Sequence, residues 1–339
     1  MTRIAFLFRT DVHSADKNPA SWKASYSDEI ESNLEQIGEL AAKHKVAAVL
    51  DGGDFFHVKA STRNSHALVA RTADIHGVYP CPTWIVPGNH DIAYNNLDTL
   101  DRQQPLRVLF SSGVFHRLGE ATFSSSAGTD RYERLSDDEG NEVTVRVVGF
   151  PYSMTRTVDE LRALKKGDED FLIAIVHNLA AEDPPPGVDE FFGEPVFRYE
   201  DLASDEGPDV WCFGHWHKDQ GSCFINGRYF INPGAVSRGA LVKENLKRVP
   251  QVALIEFVDG EIMVGMIPLK VAPATEVFDL ERKARREKES EVIEEFVAHM
   301  QQEVAADPGE SIEGSIKNLS DFAADVQATA LEYLERARG

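Results

Sequence analysis

The sequence predicts an α/β fold: a four-layer α-β-β-α sandwich of two sheets packed face to face, with a small C-terminal helical appendage. Three observations predict it. Apolar runs of strand length alternate with helical patterns over residues 4–86. Later strand-like runs are joined by the hairpin dipeptides Asn226–Gly227 and Asp259–Gly260. Beyond Pro273 the strand signals stop and charged, helical sequence takes over. The chain has 339 residues, 42% of them hydrophobic, enough for one large core or a core plus an appendage. The core is expected over residues 1–272 and the helical segment over 273–339.

Taken in order, residues 4–8 are continuously apolar and read as a buried strand ending near Asp11. Over residues 27–45, Ile30, Leu34, Ile37 and Leu40 recur at helical spacing with acids on the other face. Residues 46–50 form the next strand, stopping at Asp51, and a helix is expected over 64–77. Residues 83–86 form a third strand, broken by Pro87 and Gly88. This β-α-β-α-β start predicts a parallel sheet with functional loops at the carboxyl ends of its strands. Residues 131–152 read as a hairpin, with one arm at 131–135 and the other at 143–148. Residues 171–176 and 210–213 are buried strands ending at His177 and Gly214, with an exposed proline-rich loop around Pro184 between them. Residues 276–302 and 311–338 suggest a helix-loop-helix, split at Asp307, Pro308 and Gly309.

Composition narrows the function classes. No apolar run is long enough to span a bilayer, and the N-terminus lacks a signal-peptide pattern. Cys81, Cys212 and Cys223 are too few and too odd for a disulfide scaffold, and none has zinc-site spacing. A cytoplasmic protein is expected, with no membrane partner. The net charge of −21 and pI near 4.9 argue against a protein that grips DNA unaided, although bound divalent cations offset the repulsion locally.

Five segments, each after a strand-like run, carry metal-ligand chemistry. They hold Asp11 and His13; Asp54; Asn89, His90 and Asp91; His177; and His215 and His217. Carboxylate oxygens and imidazole nitrogens with no thiolate suit hard or borderline divalent ions, Mn²⁺ foremost, with Mg²⁺ or another transition metal as alternatives. Asp54, at a strand end, is placed to bridge two ions. Asp11 and His13 alternate around Val12, and His215 and His217 around Trp216, so each pair can face the metals while the residue between points away. Two ions held close together form a device for cleaving phosphate esters. His44, His66, His76, His116 and His299 are expected as surface or packing groups.

In these motifs the chain resembles the calcineurin-like metallophosphoesterases over about residues 3–270. Within them it is most similar to the SbcD-like nuclease subunits of double-strand-break repair complexes. Residues 53–57, 86–91, 214–217 and 232–236 carry the resemblance. It implies one ion held by Asp11, His13, Asp54 and His217, and a second by Asp54, Asn89, His177 and His215. It also implies a catalytic group of His90, His57 and Asp91, with His90 protonating the leaving oxygen. His57, Val58 and Lys59 stand where the protein phosphatases carry Asp-Arg-Gly, which brings the chain closer to the archaeal and eukaryotic nucleases. Ser14 and Ala15 depart from the usual glycine-containing first motif without removing a ligand.

The implied activity is a two-metal phosphodiester hydrolase, an exo- or endonuclease acting on DNA. The implied partners are DNA and an SbcC-like ATPase docked through the C-terminal helices; the net charge of −21 makes a second copy of the chain, framing a cleft, another source of grip on DNA. After Pro273 little sequence remains for both a cap domain and docking helices, so a reduced cap or the docking helices alone are expected. Val277, Leu280, Ala284, Val292, Ile293, Phe296, Val297 and Met300 offer apolar stripes for that purpose. Two alternatives stay open: a small-substrate phosphodiesterase or nucleotidase of the same superfamily, and a non-catalytic protein-binding scaffold.

Overall fold

A computed structural model describes residues 2–125, 142–239, 242, 245–282, 284, 285, 316, 330 and 331. The chain divides into two units, Met1–Phe278 and Asp279–Gly339.

The first unit contains two six-stranded sheets. Its strands are β1 (Arg3–Arg9), β2 (Ala48–Asp51), β3 (Thr83–Ile85), β4 (Phe115–Arg117), β5 (Glu120–Ser124), β6 (Thr144–Phe150), β7 (Phe171–His177), β8 (Leu179–Ala181), β9 (Val196–Arg198), β10 (Val210–Gly214), β11 (Gly221–Ile225), β12 (Arg228–Asn232), β13 (Gln251–Val258) and β14 (Glu261–Pro268). One sheet runs in the order β14-β13-β1-β2-β3-β4, the other β11-β12-β10-β7-β6-β5, and β8 and β9 pair apart from both. Strands β1 to β4 are mutually parallel, as are β6, β7, β10 and β12. Antiparallel strands occupy the margins, and the turns at Asn226–Gly227 and Asp259–Gly260 close the expected hairpins.

The facing sides of the sheets share one apolar core. Ile4, Phe6, Phe8, Leu50 and Phe257 from one sheet meet Val145, Val147, Phe171, Ile173 and Ile231 from the other. The alternate residues of the second sheet, among them Val176, Trp211, Phe213 and Phe230, pack outward on Leu161, Tyr199 and Leu202 of two short helices. Strands buried on both faces read as continuous apolar runs, which explains the legibility of β1, β7 and β10 in the sequence.

Helix α1 (Tyr26–His44) starts at Ser25, whose hydroxyl accepts the Asp28 N–H at 3.3 Å, with Asp28 and Glu29 in the first turn. Ile30, Leu34, Ile37 and Ala41 form its buried face, and it stops at Lys45 in a left-handed conformation. Helix α2 (His66–Gly77) is capped in the same way by Ser65.

Residues 131–135 lie outside the described residues, and the antiparallel neighbour of β6 is β5, with Glu120 opposite Val148 and Ser124 opposite Thr144. Val277, expected on a tail stripe, belongs to the first unit: it is buried, and its carbonyl accepts the Lys23 N–H at 3.0 Å. Phe278 beside it is fully buried against Trp22, ring centroids 5.3 Å apart. In the second unit the described residues 280–282, 284, 285, 316, 330 and 331 are helical. Val292, Ile293, Phe296, Val297 and Met300 lie outside the described residues.

Candidate metal centre

Five parallel strands deliver the site. β1, β2, β3, β7 and β10 end at Arg9, Asp51, Ile85, His177 and Gly214. The segments beyond their carboxyl ends converge, as in other parallel sheets. The first two are stitched by backbone bonds: Asp11 N–H to Gly53 carbonyl at 2.9 Å, His13 N–H to Asp54 carbonyl at 3.0 Å, and Ser14 N–H to Phe55 carbonyl at 2.7 Å. Asp91 joins the third segment to the second. Its buried carboxylate accepts the N–H groups of Gly88 (3.0 Å), Phe55 (3.1 Å) and Phe56 (3.2 Å). Asp91 therefore holds two loops together instead of facing the donor cluster. Burial and the nearby Asp54 push its carboxyl up to about 7.

Four of the clustered side chains sit on left-handed backbone: Asp11 (φ 54°), His13 (φ 49°), Asp54 (φ 55°) and His215 (φ 81°). Non-glycine residues rarely adopt this conformation, and it costs on the order of 1–3 kcal/mol each. The β-sandwich beneath fixes both ends of every loop and holds the strain in place. Gly88 has a separate reason: a Cβ there would lie 2.1 Å from Asp54 Oδ1 and 2.4 Å from Asp54 N.

The structure brings the expected residues into overlapping groups. Ligand atoms of Asp11, His13, Asp54 and His217 all lie within 4.8 Å of one another, and so do those of Asp54, His177 and His215. Asp54, almost wholly buried, belongs to both groups. In the first, His13 Nε2 is 2.9 Å from His217 Nε2, 3.8 Å from Asp54 Oδ2 and 3.9 Å from Asp11 Oδ1. In the second, His177 Nε2 is 3.4 Å from Asp54 Oδ1. His57 and His90 stand beside the first group, ring centroids 5.4 and 4.8 Å from His13. They stack on each other at 5.5 Å with planes 20° apart.

Hydrogen bonds on the outer nitrogens fix the tautomers. His177 Nδ1–H donates to the Gly52 carbonyl at 2.5 Å, leaving the buried Nε2 without a hydrogen-bond partner. His90 Nδ1–H donates to the His57 carbonyl at 2.5 Å, and its main-chain N–H donates to Asp54 Oδ1 at 2.7 Å.

The donor set fits cations. The Asn89 amide oxygen faces only acceptors: the Asp54 carboxylate oxygens, at 2.9 and 3.2 Å, and His215 Nδ1, at 3.1 Å. Either the amide turns to donate from nitrogen, or a positive ion sits among the three. The unpartnered His177 Nε2 aims at the same place. Electrostatics agrees. Burial raises the pKa of Asp54, but His177, His13 and His90 outweigh it and hold the carboxyl well below its usual range. Burial and the neighbouring imidazoles keep His13 and His57 below the ordinary histidine value.

A family model for calcineurin-like phosphoesterases matches residues 4–219, which span the sandwich from β1 through the 215–217 loop. The chain belongs to the calcineurin-like phosphoesterase family. Its members are phosphoester hydrolases that use a pair of divalent metal ions, and the fold here is the family's α/β sandwich. No curated protein matches the chain closely enough to count as a relative. Among solved structures, the chain is similar to the calcineurin-like phosphoesterase YfkN from Bacillus subtilis, at 16% identity and TM-score 0.45, covering 81% of this chain and 94% of that one. It is similar to a putative 5'-nucleotidase from Staphylococcus aureus in complex with alpha-ketoglutarate, at 15% identity and TM-score 0.47, covering 85% of this chain and 58% of that one. It is also similar to TT1561 of Thermus thermophilus, at 12% identity and TM-score 0.40, covering 78% of this chain and 99% of that one. Among the described residues, no helix is long and apolar enough to cross a membrane.

Several residues around the site went unassigned in the sequence. Thr10 Oγ1 donates to Asp11 Oδ2 at 2.8 Å. Asn232 explains part of the 232–236 motif: its amide donates to the Trp216 carbonyl at 3.1 Å while its oxygen accepts the Gly234 N–H at 2.8 Å. The Ala235 N–H donates to the His217 carbonyl at 3.0 Å, so that motif props the 215–217 loop.

Proposed function

We propose that this phosphoesterase is a two-metal phosphodiester hydrolase acting on DNA, an SbcD-like nuclease subunit for end processing in the cytoplasm. The observation that carries the chemistry is the sharing of Asp54 between two donor groups. One ion would be held by Asp11, His13, Asp54 and His217, the other by Asp54, Asn89, His177 and His215. A pair of divalent cations, Mn²⁺ in this proposal, supplies Lewis acidity and a lowered water pKa.

The residues do the rest. The Asp54 carboxylate would be a ligand to both ions, and it receives the His90 main-chain N–H. His90 Nδ1–H is committed to the His57 carbonyl, so it is the imidazolium form of His90 that would give its Nε2 proton to the departing oxygen, returning to the Nδ1–H neutral ring. His57 stacks on His90 and limits its rotation. Asp91 keeps the two loops in register.

DNA as substrate is supported by His57 in place of the phosphatase aspartate and by the nuclease-like motifs. The charge of −21 favours a second reading, a small-substrate phosphodiesterase or nucleotidase, because a polyanion is repelled by this surface. For DNA, an SbcC-like ATPase docked through the C-terminal segment after Phe278, or a second copy of the chain, would supply the grip. The test is a nuclease assay on blunt, hairpin and single-stranded DNA with Mn²⁺ or Mg²⁺, with and without the ATPase. Metal-dependent DNA degradation is expected. Hydrolysis of bis-p-nitrophenyl phosphate with intact DNA under all conditions would move the assignment to small substrates.

A further inference from the structure

An acidic side chain beside His215 belongs to neither donor group. Glu194 follows a left-handed turn at Gly193 (φ 69°) in the loop before β9, and its side chain is only 8% exposed. Its Oε1 lies 2.8 Å from His215 Nε2, and its Oε2 accepts the Tyr152 hydroxyl at 2.8 Å. Both carboxylate oxygens are thus committed. Tyr152 is anchored in turn: its main-chain N–H donates to the Pro87 carbonyl at 3.0 Å, one residue before the Gly88–Asn89 turn. Its ring lies 5.3 Å from that of His215 and 6.2 Å from that of His177.

The two nitrogens of His215 face different neighbours. Nε2 faces Glu194, and Nδ1 faces the Asn89 amide and, beyond it, Asp54. A carboxylate accepts hydrogen bonds and cannot donate them, so the proton of a neutral His215 resides on Nε2. Its lone pair is then on Nδ1, directed at the second donor group. Without Glu194 the ring is free to change tautomer and to rotate about its χ2 bond. His177 is fixed by a backbone carbonyl, whereas among the described residues only a side chain from a distant loop holds the outer nitrogen of His215.

We propose that Glu194, braced by Tyr152, is a positioning residue that sets the tautomer and orientation of His215 and so tunes affinity for the ion shared by Asp54, Asn89, His177 and His215. This inference rests on the two-metal reading above. Outer carboxylates on metal-bound histidines change metal affinity by about 10–100-fold when removed.

The experiment is calorimetric titration of the full chain with Mn²⁺ alone, for wild type, Glu194→Ala, Glu194→Gln and Tyr152→Phe, together with ¹⁵N shifts of the His215 ring. Wild type should bind two ions. Glu194→Ala should weaken one of them about 10–100-fold, leave the other near its wild-type affinity, and lose the Nε2-protonated signature. Glu194→Gln keeps an acceptor oxygen and should restore most of the affinity, and Tyr152→Phe should weaken the same ion to a smaller degree. Wild-type binding of both ions by Glu194→Ala would overturn the role of Glu194. So would equal loss of both ions in the Ala and Gln variants, the mark of general damage to the loop. Wild type binding fewer than two ions would instead bring down the two-metal reading itself.

Discussion

Arg9 Nε lies 2.7 Å from Asp51 Oδ2, and both side chains are fully buried beneath the turn that carries Asp54. The guanidinium also reaches His76 Nε2 at 2.9 Å and the Tyr79 hydroxyl at 3.3 Å, and it packs over the Phe55 ring. The other Asp51 oxygen accepts the Gly53 N–H at 2.9 Å. A buried ion pair thus ties two strand ends, α2 and the site turn into one polar network.

Breaking that pair from one side leaves a buried charge uncompensated. Arg9→Met or Asp51→Leu alone should cost about 3–5 kcal/mol in urea unfolding, and the double variant Arg9→Met/Asp51→Leu should recover part of the loss. Full recovery is not expected, because the Gly53 N–H loses its acceptor. Single variants as stable as wild type would show that the network is not a structural tie.

Gly88 lies directly against the shared carboxylate of Asp54. Gly88→Ala places a methyl where Asp54 Oδ1 now stands. The fold should persist by circular dichroism while bound metal, measured by elemental analysis, falls by at least one ion per chain. Unchanged metal content would mean that Asp54 does not occupy a shared ligand position.

Protons compete with ions for His177. Burial alone would lower its pKa, but the negative charge of the Asp54 carboxylate, 3.4 Å from Nε2, wins and raises it to about 9. Below that pH an entering cation must displace a proton. Affinity for the ion held by Asp54, Asn89, His177 and His215 should therefore climb about tenfold per pH unit up to about pH 9 and level off above it. Mn²⁺ titrations across that range, in buffers of differing protonation enthalpy, report the slope and the proton released. A flat profile would contradict the Asp54–His177 coupling.

The histidine pair separates proton delivery from packing. His90→Ala should keep both ions and lose about 10²–10⁴-fold in turnover, the usual worth of a positioned acid. His57→Ala should lose less, because the bond from His90 Nδ1 goes to the His57 main-chain carbonyl and survives the substitution. Equal losses in the two would assign His57 a direct part in proton delivery.

Much of the sandwich was legible because its central strands are buried on both faces and end abruptly in Gly, Asp and His clusters. β5 was missed: it is a margin strand with half-exposed positions, so its apolar signal is weak, and its pairing with β6 depends on contacts 20 or more residues away. Asp11, Asp54, His177 and His215 were visible as motif residues. The left-handed backbone at Asp11, Asp54 and His215 was not, because the strain is imposed by the sheets and carries no glycine signal. Glu194 had no signature at all, since a lone acid in a proline-rich loop meets His215 only through the tertiary fold. Val277 looked like the start of a tail stripe, and only the fold shows it closing the first unit beside Phe278.

The most direct measurement is hydrolysis of bis-p-nitrophenyl phosphate during stepwise addition of Mn²⁺ to chelator-treated protein, for wild type and Asp54→Ala. Turnover should be absent in chelator, reach its plateau at two ions per chain, and stay absent in Asp54→Ala. Full activity in chelator, a plateau at one ion, or normal activity in Asp54→Ala would contradict a phosphodiester hydrolase built on two ions sharing Asp54.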